Sequence, residues 1–324
     1  MSEPEEDPGQ EREQEESLAR IEAGGIPLSA ERRLSELGER GGAFTSDLSV
    51  NGFALCHQLG LTPLSQVMGS SIYQMGYQAA WGQPGGGYDP YGTSMFELET
   101  LSQALNEVRG RALNRLAEEA RHVGADAVVG VETRAGESEL GGAGGGSLAL
   151  EHVVLGTAVR RENRPSGSSQ PGRQPVMTEL SVADYALLLR AGIEPAGIVA
   201  WSSVFFSSYA YRGMLGQGPG SIGSMQPYEL GEFTQALYNA RERAMGQISA
   251  QAAALGAAGI VGVRISHTIT PHSLSGGMGG TIGGFSGGRE LRGMMVTFHA
   301  IGTAIHQHGD ISVQAPKAVV DLFT

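Results

Sequence analysis

Histidine and cysteine are the residues with the strongest claim to chemistry in this sequence. The second half carries His267, His272, His299, His306 and His308, and the first half Cys56, His57, His122 and His152. Imidazole and thiolate are ligands for zinc, copper or nickel, so a divalent transition metal is the cofactor this set would hold. If residues 294–306 form a strand, alternation puts His299 and His306 on opposite faces, while His306 and His308 share one. The bland alternative is a scatter of surface or half-buried histidines. Two further pairs are Arg109/Arg111 and Arg241/Arg243, each within Arg-x-Arg-Ala. These are either solvated helix charge, with Glu107 and Arg111 four residues apart, or interface and anion contacts, for which the arginine fork is suited.

Other chemistries find less. Ser70-Ser71 and Ser202-Ser203 recur, but no Gly-x-Ser-x-Gly elbow surrounds them and no His/Asp pair accompanies them, so they read as hydroxyls on an exposed strand face. The glycine-rich runs at 82–92, 136–146, 213–223 and 273–288 match neither the phosphate-loop nor the dinucleotide fingerprint. Cys56 is the single cysteine, which excludes an internal disulfide and a thiolate cluster; it aligns with Leu188 and reads as a buried thiol. Tyr73, Tyr77, Tyr88, Tyr91, Phe205, Phe206, Tyr209 and Tyr211 flank the glycine loops and suit adaptable contact surfaces. The expectation is a non-enzymatic assembling or binding protein, with histidine-mediated metal binding in the second half, or a binding module for a small ligand or partner protein, as the alternatives.

The elements that must position these groups come in duplicate. Residues 46–73 match 178–205 without a gap, and the long segments 101–131 and 233–263 keep the same spacing, as Ser49 and Ser181 do at 132 positions apart. Leu101, Leu105, Val108, Ala112, Leu116, Ala120 and Val123 form one helical stripe, repeated by Phe233, Leu237, Ala240, Ala244, Ile248, Ala252 and Leu255. Gly124 and Gly256 cap the helices, and a Val-Gly-Val strand follows each. Ser49 and Ser181 are N-caps of short leading helices ended by Gly60 and Gly192. Strands are expected over 64–73, 196–206, 148–160 and 294–306. Each copy then reads helix, strand, long helix, strand, strand: an α+β unit with a long helix packed on a small antiparallel sheet. The boundaries are a disordered acidic tail with one short helix over 1–43, a first domain at 44–161, a Pro/Ser/Gly linker at 162–175, a second domain at 176–308, and a tail at 309–324.

Leu255–Val263 with Gly302–Ala304, and Gly124–Val131 with Gly156–Ala158, resemble the YbjQ-like family, labelled "putative heavy-metal-binding domain". The resemblance covers about two thirds of the chain. It implies two tandem small α+β domains, self-association between the copies and into a ring-like homo-oligomer, and a metal-binding label that brings no ligand motif mapping onto residues here. A formal net charge of −12 argues against nucleic acid. The hydrophilic, acidic start is unlike a signal peptide, and no apolar run reaches the roughly 20 residues of a membrane span. A cytoplasmic protein is expected.

Overall fold

The computed structural model describes residues 8–40, 45–76, 95–140, 147–162, 174–208, 229–275 and 290–307. His308, Tyr77, Tyr88, Tyr91, Tyr209, Tyr211, the linker residues 163–173, the tail 309–324 and most of the glycine-rich runs lie outside them. The first copy contains α3 (Val50–Gln58), β1 (Leu61–Gly76), β2 (Met95–Glu97), α4 (Glu99–His122), β3 (Ala127–Leu140) and β4 (Ser147–Arg161). The second contains β5 (Val176–Met177), α5 (Val182–Arg190), β6 (Ile193–Ser208), α6 (Gly231–Ala254), β7 (Gly259–Ser275) and β8 (Glu290–Gln307). The architecture is α+β, as the residues predict.

The strands form two sheets, β1-β4-β3-β5 and β2-β6-β8-β7, antiparallel except for the β3–β5 pair. The copies interlock, because β2 of the first copy pairs with β6 of the second, and β5 of the second pairs with β3 of the first. Helix α4 packs into the gap between the sheets. Leu101, Leu105 and Val108 join Leu148 and Leu150 of the first sheet to Val204, Phe206 and Met295 of the second. Helix α6 covers the opposite face of the second sheet through Ala236, Ala240, Ala244, Ile248 and Ala252, against Val199, Val296 and Phe298. The layer order is therefore first sheet, α4, second sheet, α6.

Local chemistry accounts for the joints. Ser49 Oγ accepts from Gly52 N at 3.1 Å, and Ser181 Oγ from Asp184 N at 3.2 Å, so both expected caps form. β1 and β6 start earlier than the prolines suggest: Pro63 and Pro195 sit at bulges (63/65 and 195/197), where a missing N–H is tolerated. The glycines of the Val-Gly-Val motifs serve the same function in β3 and β7. Gly130 and Gly262 both have φ of 65°, which breaks the ladder between Val129 and Glu132 and between Val261 and Arg264. Gly130 N and Val131 N then donate to Leu180 O and Thr178 O, seating the second copy's leading segment on the first sheet.

Two expectations are corrected. Pro8–Glu22 forms a helix (α1) where composition predicts disorder, followed by α2 (Leu28–Arg40). Arg115 anchors the end of α1 by donating to Ile21 O at 2.8 Å and Gly25 O at 3.1 Å, and Arg33 of α2 pairs with Glu119 at 3.2 Å. Glu-rich composition misses this because the partners are long-range. Ser71, Ser202 and Ser203 are also buried, not exposed.

Candidate functional site

The joint between the copies is the chemically richest place among the described residues. Helix α4 is polar on the side that meets β6: Ser102, Asn106 and Arg109 fall at i, i+4 and i+7, one stripe of a 3.6-residue period. Ser102 Oγ accepts from Val204 N at 2.9 Å. Asn106 brackets Ser202, accepting from its N–H at 2.8 Å and donating to its carbonyl at 2.8 Å. Arg109 donates to Ala200 O at 3.0 Å, to Ser202 Oγ at 2.7 Å and to Asn106 Oδ1. Side chains here replace the strand that would otherwise satisfy the β6 backbone.

Ser202 Oγ also meets His299 Nδ1 at 2.7 Å, as strand pairing requires, since Ser202 and His299 are register partners. Arg109, His299 and His152 of β4 line one groove of about 590 Å³ between β3 and β7, with Arg134 and Arg264 towards its mouth. Arg109 is 6% exposed and His152 6% exposed. Burial pulls Arg109 down to about 10, still charged at neutral pH. Burial, then the Arg109 charge and His299, pushes His152 down to about 4; burial, then Arg109, does the same to His299. Both imidazoles are neutral at pH 7 beside a buried cation. Among the described residues no carboxylate charge offsets that guanidinium, and His152 Nε2 is buried without a hydrogen-bond partner there.

The other histidines are dispersed. His267 is exposed on β7, and His272 lies further along the same strand in the opposite side-chain phase. His306 Nδ1 stands 3.2 Å from Gly256 O, at the end of α6. Among the described residues, no three of His, Cys, Asp and Glu come close enough to hold a metal ion. His299, the one of the set in the groove, sits against Arg109, a fixed positive charge that would repel a cation. The described members of this set do not fit a metal. Cys56 is buried, and burial raises its thiol above the usual range.

The arginines divide. Arg111 pairs with Glu107 at 3.0 Å within α4 and lies over the Tyr73 ring at 5.4 Å. Among the described residues, Arg241 pairs with its neighbour Glu242 at 3.5 Å. Arg243 pairs with Glu97 of β2 at 3.1 Å, a contact between copies. Sequence reasoning missed His152 and Ser202 as members of one cluster, because neither is part of a motif and each depends on a strand of the other copy.

A family model described as "Putative heavy-metal-binding" (YbjQ_1) matches residues 94–162 and 201–306. A Mycobacterium tuberculosis protein named "Encapsulin nanocompartment protein Rv1762c" is 31% identical over 296 residues, 91% of this chain and 97% of that protein. Two Halobacterium salinarum proteins, UPF0145 protein OE_4416R and UPF0145 protein VNG_2432C, are each 46% identical over 63 residues, 19% of this chain and 54% of theirs. No solved structure matches significantly.

Proposed function

The chain belongs to the YbjQ family, and from that premise we propose that it is a non-catalytic, self-assembling protein whose copies dock head to tail. The observation that carries this is an asymmetry between equivalent faces. The second sheet's face is covered by α4, so Ala200 is 7% exposed and Val204 0%. Their counterparts in the first sheet, Met68 and Ile72, are 44% and 71% exposed. The matching helix, α6, turns Tyr238 and Arg241 outward where α4 turns Asn106 and Arg109 into a sheet. One open sheet face, with Met68 and Ile72 exposed on it, and one uncovered helix face are therefore the two halves of an interface the chain already makes once internally.

The free edges agree. Residues 176–180 line β3 of the first sheet, whereas β7 is an edge strand with Val263, Ile265 and Ile269 exposed. Residues 45–48 of a second copy stand in the right repeat position to line it. Such an interface is heterologous, and it closes into a ring when the rotation allows. The relative named for a nanocompartment is in keeping with self-assembly. The units are the two copies, 44–161 and 176–308. An acidic chain without a membrane-spanning helix among its described residues supports a cytoplasmic role that does not involve nucleic acid. Among the described residues, no cluster of ligands favours the metal reading.

Light scattering tests the proposal. The wild-type chain should run at a multiple of 33.8 kDa. Ile72→Asp, at an exposed position that a folded monomer tolerates, should reduce it to the monomer. A wild-type protein that stays monomeric at high concentration overturns the reading.

A further inference from the structure

We propose that the groove between β3 and β7 binds a small organic anion, with a carboxylate or phosphate head seated on Arg109 and His152. All of the residues that line the groove belong to one chain, so the anion site is complete in a monomer, although its β7 side adjoins the edge proposed for docking. A volume of about 590 Å³ suits a metabolite-sized ligand. At its base lies a buried guanidinium whose three partners, Ser202 Oγ, Asn106 Oδ1 and Ala200 O, are all neutral. A guanidinium has five N–H donors, so two remain for a ligand. Removing one cation from water without an anion is costly, and such charges are ordinarily paired. The His152 imidazole, buried with an unpartnered Nε2, adds a second donor once it carries a proton there.

The rest of the groove fits the same class of ligand. Arg264 at the mouth is tied to Glu179 at 2.9 Å, and Arg134 stands 3.6 Å from Glu132, so among the described groove residues the uncompensated cation is Arg109. Ile301, on the same face of β8 as His299, gives an apolar wall for the body of a ligand. The chemistry occurs once per chain: the positions matching His152 and His299 in the other copy are Phe298 and Val153.

That substitution pattern supplies the controls. Phenylalanine and valine already occupy the corresponding places in this fold, so His152→Phe and His299→Val should fold. Calorimetric titration of the full-length chain with inorganic phosphate, and separately with succinate, should show one site per chain in at least one arm, and the tighter arm names the head group. His152→Phe should weaken that binding about tenfold, the loss of one charge-assisted bond, at an unchanged mass by light scattering. Imidazole NMR of the wild type gives a measurement independent of any variant: the bound anion should move the His152 and His299 resonances and leave His57 unmoved. The inference fails if neither anion binds, if His152→Phe binds as tightly as wild type, or if those two resonances do not respond.

Discussion

His152 and His299 are kept neutral by burial and by the same guanidinium, and this sets a pH dependence. Their folded values, about 4, lie below the ordinary 6.5. Between those limits the unfolded chain binds more protons than the folded one, so stability is full above 6.5 and is lost as pH falls towards 4. The ceiling is about 3.5 kcal/mol for each histidine, at roughly 1.4 kcal/mol per unit. Glu119 and Glu179 are raised, mainly by burial. They act with the opposite sign, losing stability as pH rises through their folded values. The clean measurement is therefore a difference: urea unfolding of wild type and His152→Phe from pH 7 to pH 4.5. The variant should lose less stability on acidification, and parallel curves would contradict the burial. Little of this cluster was legible in sequence. His299 stands out in sequence only as one of several candidate metal ligands and His152 only as a scattered histidine, because neither recurs in the other copy. A joint between copies is where equivalence breaks, because only one copy's helix faces the other's sheet.

The elements were far more legible, since their signals are local. Helix stripes, serine caps and positive-φ glycines depend on residues three or four apart, and Gly124 and Gly256 take φ of 70° and 66° as the caps require. What local pattern hides is how closely elements approach. A Cβ added at Gly69 of β1 would stand 1.9 Å from Ala112 O of α4, so the helix rests directly on the strand there. The second copy has Trp201 at the matching place, so no repeat pattern signals it. Gly69→Ala should therefore push α4 outward and cost about 3 kcal/mol by chemical denaturation, within the range of overpacked cores. Gly110, in the middle of the same helix, meets nothing within 4 Å. Gly110→Ala should stabilise by about 0.5–1 kcal/mol, because glycine is a poor helix former. Equal effects from the two substitutions would mean that α4 does not sit where described.

At the scale of the whole molecule, the head-to-tail docking proposed above has a polarity. The first sheet's outer face and the outer face of α6 are different surfaces, so one copy can accept on one side while it donates on the other. An isologous dimer would instead pair a face with itself. Variants blocked at one end each separate these cases. Ile72→Asp damages the accepting sheet and leaves α6 intact. Tyr238→Glu, at a helix position 55% exposed, damages the donating helix and leaves the sheet intact. Each alone should be monomeric, since every head-to-tail contact then includes a damaged face. Mixed in equal amounts, the intact α6 of the first should dock onto the intact sheet of the second and stop there. The mixture should thus show a one-to-one pair at twice 33.8 kDa and nothing larger. If the sheet face paired with itself, Tyr238→Glu alone would still assemble and mixing would restore nothing. A pair that appears only on mixing requires the interface to be directional, with the contact of α4 on the second sheet as its internal template.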